Sequence, residues 1–326
     1  MHLNSQNFFN MIKLNSDSII YIDSPSNIYT GGPLALHQLA YKLKIKGFNV
    51  LMFYNNTKEI HPNFLTYNIP FVTKIEDRKN NVIIVPETNT NEIYKYNNIR
   101  KCIWWLSIDN FYSIRKIERL KILLGIKRRY SFEKKMLIYH LTQSFYAFNF
   151  LTKKKKIESD KIKMLSDYLL PIFLKNEIKT ERKDIILYNP KKGLRFTKKI
   201  INYNIQYEWV PLINLSAFEV KNLLNTAKLY IDFGNHPGRD RFPREAAICG
   251  CCVITNKKGS AFYYEDVPIL DEFKFYENKI YIPEISKKIH QIMSDYKTNY
   301  DKFSEYIYFI NANETIFENE ITSIFS

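Results

Sequence analysis

In the stretch IDFGNHPGRDRFPREAAICGCCVIT (231–255), a strand, a loop, a helix and a second strand follow one another. LYIDFG (229–234) is apolar and strand-like, NHPGRDRF is a polar loop carrying Gly238, and PREAAIC is a helix with Pro243 at its first position and Gly250 just past its end. Those are the residue preferences of helix termini. CCVIT (251–255) returns as a strand, which completes a βαβ unit and implies a parallel sheet. Open sheets of this kind bind ligands beyond the carboxyl ends of their strands, where helix N-termini favour anions. Arg239, Arg241 and Arg244 are therefore candidate anion ligands. Glu245, expected in the first helical turn, can accept hydrogen bonds from two ribose hydroxyls, or it can simply offset the helix dipole and pair with an arginine.

The same pattern extends in both directions. DIILYN (184–189) and YEWVPL (207–212) are strands around the helix KKGLRFTKKIINY, and SAFEVKNLLNTAK (216–228) opens with the capping box Ser216–Glu219, stapled by Leu215 and Val220. Tyr296, Tyr300, Phe303, Tyr306 and Phe309 recur in the helical tail at a spacing typical of packing. Nearer the amino terminus, SIIYID (18–23), a loop with Gly31 and Gly32, the helix PLALHQLAYKLKIKG and NVLMFY (49–54) make another βαβ unit. NVIIVPE (81–87), KCIWWLS (101–107) and MLIYHLT (136–142) add strands. Pro171 and the charged string KNEIKTERKD interrupt the periodicity. The expected architecture is α/β: two Rossmann-like doubly wound domains, 1–177 and 178–326, facing each other across a cleft, with the last helix packing back on the first.

Composition narrows the function. At 326 residues, 45% hydrophobic and 25% charged, the chain is globular in composition and long enough for two domains. It contains no apolar run of membrane-spanning length and no secretory leader pattern, so a cytoplasmic location is expected. Cys102 and the CGCC string at Cys249, Cys251 and Cys252 lack the spacing of a zinc site and read as small buried hydrophobes. The formal charge is +15, and residues 113–163 alone carry 15 basic against 4 acidic side chains. The segment 113–129 reads as a basic amphipathic helix, with Ile114, Ile117, Leu120, Leu123 and Leu124 on one side. That helix, with Lys153 to Lys156, can dock on an anionic membrane surface or can present an ordinary solvated face.

Three further strings carry a family resemblance. REAAICGCCVIT resembles the second half of the E-x7-E region of GT-B glycosyltransferases, GGPLALHQLAYKLKIKGFNVLMF the glycine loop and first helix of their amino-terminal domain, and YNPKKG (188–193) the segment after their first carboxy-terminal strand. The run from LINLS to YEDVPI is similar to a branch of bacterial surface-polysaccharide transferases. The resemblance implies the GT-B fold and a nucleotide-sugar donor. It assigns Glu245 to the donor ribose, Lys192 to the donor diphosphate, and the backbone of Gly31 and Gly32 to the same diphosphate from across the cleft. The first motif glutamate would fall eight residues before Glu245, where this chain has Pro237. Its acceptor would be a glycan or glycolipid of capsule or surface-polysaccharide assembly, which fits a peripheral place on the inner face of the plasma membrane.

Glycosyl transfer from a nucleotide needs the charge of a departing phosphate neutralised. Lysines, arginines and glycine-lined helix starts are available for that and no D-x-D string is present, so neither a metal nor a cofactor is expected. Gly259 and Ser260, past the next strand, either offer amides to phosphate or form an ordinary turn. On the acceptor side, Asp23, His37, Glu87 and Asp109 lie near predicted strand ends or helix starts and are candidate general bases. His37 sits on an apolar helix and can equally be a packed histidine. Asp109 lies beside Trp104, Trp105 and Phe111, which suits sugar stacking or a core. A nicotinamide enzyme needs G-x-G-x-x-G and a P-loop enzyme G-x4-G-K-S/T; TGGPLAL supplies neither. The remaining alternatives are a nucleic-acid-binding protein using the basic patch, although no such motif is present, and an inactive nucleotide-sugar-binding homologue.

Overall fold

The computed structural model describes residues 12–55, 59–133, 136–175 and 181–326. The chain divides into two compact units, Met1–Asp167 with Thr315–Ser326, and Tyr168–Glu314. The expected boundary at 177/178 lies outside the described residues. The helix Ser304–Ile324 passes from the second unit back into the first, where Phe325 forms a parallel bridge with Ile12.

The first unit holds seven strands: β1 (Ile20–Asp23), β2 (Val50–Phe53), β3 (Phe71–Val72), β4 (Val82–Pro86), β5 (Arg100–Trp105), β6 (Ile138–Thr142) and β7 (Ile162–Met164). They pair in the order β3-β2-β1-β4-β5-β6-β7, parallel throughout. β1 and β4 are buried at every position, as expected of continuous apolar runs in a sheet covered on both faces. The strand order reverses between β1 and β4, the place where such sheets open a crevice.

The second unit contains β8 (Lys183–Tyr188), β9 (Glu208–Pro211), β10 (Ala227–Asp232), β11 (Cys252–Asn256) and β12 (Lys274–Phe275), again parallel, in the order β12-β11-β10-β8-β9. Here the reversal falls between β8 and β10. The capping box forms as read: the Ser216 hydroxyl accepts from the Glu219 amide, and the Glu219 carboxylate accepts from the Ser216 amide at 2.7 Å. All four cysteines are buried free thiols. Gly250 has φ +97°, and a Cβ there would run into the guanidinium of Arg182, which donates to the carbonyls of Leu224, Ala227 and Cys249.

Three helix boundaries differ from the sequence reading. The first helix begins at Gly31, with Thr30 in the N-cap position, and the helix after β10 begins at Arg241. Pro33 and Pro243 thus stand third, which costs nothing because the first amides of a helix have no intrahelical acceptor anyway. Glu245 is therefore one turn in, outside the first turn where the dipole argument placed it. The basic segment 113–129 is helical only over Lys116–Leu123, ending before Gly125 at φ +71°. No residue of that helix is buried, and Ile117, Leu120, Leu123 and Leu124 are between 54% and 83% exposed.

Candidate functional site

Two loops of the second unit meet where its strand order reverses. One follows β8 and carries Lys192; the other follows β10 and runs from Phe233 to Asp240. Gly193 (φ +60°) turns the first loop into the helix Leu194–Tyr203, and a Cβ on it would strike the carbonyl of Phe233. A Cβ on Gly234 would meet the Lys192 side chain. Two glycines therefore let the loops touch, and the touching brings charge together.

Lys192 Nζ lies 2.5 Å from Asp240 Oδ2 and 3.8 Å from Asp232 Oδ2. The imidazole of His236 places Nδ1 2.7 Å from the same Asp240 oxygen, while its Nε2 is 3.9 Å from Asp232 Oδ1. Asp232 also accepts from the Tyr230 hydroxyl and the Gly234 amide, each at 3.0 Å. Burial would lower the pKa of His236, but the Asp232 charge and the hydrogen bond to Asp240 outweigh it and raise it. Burial likewise works against charge on Lys192 and Asp240. Their mutual attraction prevails, raising the lysine and lowering the aspartate. Two carboxylates thus face the Lys192 ammonium and the His236 imidazole in a nearly closed network.

The ligand atoms of Asp232, His236 and Asp240 lie within 4.8 Å of one another, a spacing that could hold a metal ion. The Lys192 ammonium stands against the two carboxylates of that set. Neither Asp232 nor His236 was singled out from sequence, although the signal was there in an aspartate closing β10 and the D-x3-H-x3-D spacing that follows it.

The other residues read from this stretch divide in two. Glu245 is 7% exposed on the helix Arg241–Ile248, and Arg241 is half-buried at that helix's first position. Arg244, expected to bind an anion, is 1% exposed and serves the fold: it donates to the Arg239 carbonyl at 2.9 Å, the Asp240 carbonyl at 3.3 Å and Asn313 Oδ1 at 3.3 Å. Arg239 shares Asn313 Oδ1 at 3.1 Å and lies over the Phe309 ring, so it too anchors the loop to the carboxy-terminal helix. Ser260 spends its donors within the protein, the amide on the His236 carbonyl at 2.8 Å and the hydroxyl on the Gly238 carbonyl at 2.6 Å. It clamps the loop and offers no donor to phosphate. Gly259 is required there because its φ is +52° and a Cβ would collide with His236.

In the first unit, the packed reading of His37 prevails over the catalytic one. The ring is 1% exposed, stacks on Phe64 at 3.6 Å and is held near pKa 4 by burial. Its Nδ1 must donate to the Pro33 carbonyl at 2.7 Å, so its Nε2 lone pair is taken by the Tyr54 hydroxyl at 2.8 Å. The aromatic neighbours of Asp109 are core: Trp104 and Trp105 are fully buried, and their indoles donate to Leu165 O and His140 Nδ1. They form no sugar platform. Asp109 itself is half-buried and accepts from the Tyr146 hydroxyl at 2.8 Å. Gly31 and Gly32 open the helix beyond β1, and a Cβ on Gly32 would meet only Leu106 at an ordinary 3.7 Å.

Asp23 and Glu87 stand at the carboxyl ends of β1 and β4, beside the strand-order reversal. Burial pushes Asp23 up to about 7 and Glu87 up to about 8, against hydrogen bonds from Asn89 and from the Leu106 and Ser107 amides respectively.

No family model matches the sequence, and no curated protein matches it. Solved structures do match. A glycosyltransferase from Rickettsia africae is 14% identical with a TM-score of 0.60, over 94% of this chain and 99% of that one. Sucrose-phosphate synthase from Thermosynechococcus elongatus is 11% identical, TM-score 0.64, over 94% and 97%. HepE from Anabaena in complex with UDP is 12% identical, TM-score 0.60, over 94% and 100%. The chain therefore has the GT-B fold of these proteins, with its two parallel-sheet α/β units.

Proposed function

We propose that this protein is a glycosyltransferase that moves a sugar from a nucleotide-sugar donor to a growing, lipid-linked bacterial surface polysaccharide. The observation that carries the reading is the Lys192 cluster at the strand-order reversal of the second sheet, whose Asp240 is the N-cap residue of the helix that carries Glu245, on a fold that HepE shares and displays with UDP. In this reading Lys192 exchanges Asp240 for the donor diphosphate, and Glu245 accepts the ribose hydroxyls. As the bond between the sugar C1 and the diphosphate oxygen breaks, the acceptor hydroxyl oxygen bonds to C1 and its proton passes to the departing diphosphate, whose growing charge meets the lysine ammonium. The ammonium already stands against the carboxylates a metal would use, which supports a metal-independent reaction. Donor binding undiminished by EDTA is the expected result, and loss that magnesium restores would reject it.

The membrane part of the proposal rests on the segment 113–129. Its exposed Ile117, Leu120, Leu123 and Leu124 stand beside Lys116, Arg119 and Lys121. Each basic side chain near an anionic surface is worth about 1 kcal/mol. Lys153, Lys154 and Lys156 add exposed charge. Among the described residues no helix is long and apolar enough to cross a membrane, so docking is peripheral in this reading. Co-sedimentation with phosphatidylglycerol vesicles should be lost on charge reversal of Lys116, Arg119, Lys153 and Lys154. Unchanged sedimentation would reject the docking surface.

A further inference from the structure

The first unit contains a cavity of about 250 Å³ just beyond the carboxyl ends of β4 and β5, lined among others by Glu87, Asn91, Ser113, Arg115, Arg128 and Arg129. It belongs wholly to that unit and is separate from the Lys192 cluster. Its cationic wall is built, not incidental. The segment bearing Arg128 and Arg129 is fixed by three hydrogen bonds: Arg128 N to Asn91 Oδ1 at 2.7 Å, Tyr130 N to Thr90 Oγ1 at 3.1 Å, and Tyr94 OH to the Arg129 carbonyl at 3.0 Å. The Arg129 guanidinium carbon lies over the Phe111 ring, 3.8 Å from its centre, and burial lowers its pKa.

The acids of the wall make their direct ion pairs elsewhere, although the Arg115 charge is felt by Glu118. Glu118 pairs with Lys127 at 2.7 Å and Lys121 at 3.8 Å. Glu87 accepts from the Leu106 amide at 3.0 Å, and burial favours its neutral form. Among the described residues Arg115, Arg128 and Arg129 form no ion pair. Three guanidiniums with open hydrogen-bonding capacity, in a pocket whose lining also includes the hydroxyls of Thr88, Thr90 and Ser113 and the amides of Asn91 and Asn110, suit an oxyanion with several acceptor oxygens attached to a polyhydroxyl group.

We infer that this cavity is a phosphoryl-binding site, taking a phosphate ester of a sugar or polyol through Arg115, Arg128 and Arg129. Its use as the acceptor's phosphate site rests on the transferase reading; the binding itself does not. One face of the helix Lys116–Leu123 contributes Glu118 and Ile122 to the cavity, and its exposed Ile117, Leu120 and Leu123 are free to enter a lipid surface. A phosphoryl group can thus arrive on a lipid or in solution.

The test is calorimetric titration with glucose 1-phosphate, without nucleotide, on wild type, Arg115→Gln/Arg128→Gln, Lys116→Gln/Arg119→Gln and Lys192→Ala. All four substituted arginines and lysines of the two double variants are exposed, so the folds should survive, which thermal melting checks. Binding should weaken tenfold or more in the first double variant and less than twofold in the second and in Lys192→Ala. No binding by wild type, equal loss in both double variants, or loss confined to Lys192→Ala would overturn the assignment. Vesicles of phosphatidic acid in phosphatidylcholine separate the sources: competition with glucose 1-phosphate identifies a lipid headgroup, and its absence identifies a soluble ester. Wild type that binds the phosphate but no nucleotide would keep this cavity and remove the transferase reading.

Discussion

Replacing Asp240 by asparagine probes the network on which the site is built. Asp240 Oδ2 accepts from Lys192 at 2.5 Å and His236 at 2.7 Å, and their side chains are 25% and 1% exposed. Charge-assisted hydrogen bonds of this kind contribute about 1.5–3 kcal/mol each. The amide oxygen of asparagine still accepts from the Lys192 ammonium but without an opposing charge, and Lys192 keeps Asp232 at 3.8 Å. The net cost should be about 2 kcal/mol. A double-mutant cycle with Lys192→Met, followed by urea denaturation, should give a coupling of about 1–2 kcal/mol. The pH dependence adds a sign. His236 is raised above its ordinary 6.5, so its contribution is present below that value and is lost as pH rises through the folded-state pKa. Asp240 is lowered, so its contribution is present above 3.8 and lost in acid. Wild type should therefore outlast Asp240→Asn most clearly between these limits. A cost below about 0.5 kcal/mol with additive double variants would refute the network.

Other consequences are equally open to measurement. Asp23 and Glu87 are held up at about 7 and about 8 by burial, so the fold favours their neutral forms and loses stability as pH rises toward those values. Between pH 6.5 and 7.5 Glu87→Gln should reduce the loss by about 1.4 kcal/mol per pH unit; an unchanged slope would contradict its burial as an acid. His37 and His140, both near 4 in the fold but at the ordinary 6.5 when unfolded, add a smaller opposing slope over that range, which is the same in wild type and Glu87→Gln and drops out of the comparison. Gly32→Ala meets only Leu106 at 3.7 Å, so stability should shift by under about 1 kcal/mol while transfer falls if the Gly32 backbone approaches substrate. Burial pushes the thiols of Cys249 and Cys251 up to about 12, so native protein should react with Ellman's reagent only on unfolding.

The fold was legible because its strands are short apolar runs separated by helical periodicities and punctuated by glycine and proline. Burial on both sheet faces makes that signal strong, as in VIIVP of β4. The site was less legible because charge in a string carries no direction. Arg244 and Lys192 look alike in sequence, yet one is 1% exposed and holds carbonyls while the other faces Asp240. The packed His37 and the core aromatics near Asp109 were written as alternatives, and tertiary burial decided between them. Asp232 was overlooked because its cation, Lys192, comes from a different loop, and His236 because the turn that brings it onto Asp240 is not visible in the string. The length of the 113–129 helix was overestimated since its hydrophobic period continues past Leu124 while Gly125 turns the backbone.

Donor binding decides the transferase reading. Wild type and Glu245→Ala should be titrated calorimetrically with UDP, GDP, dTDP, CDP and CMP in EDTA, with NAD and a short single-stranded oligonucleotide as controls. Micromolar binding of one nucleotide by wild type, weakened at least tenfold in Glu245→Ala at unchanged melting temperature, is the predicted result. Equal binding by both proteins, or salt-dependent binding of the oligonucleotide alone, would contradict it.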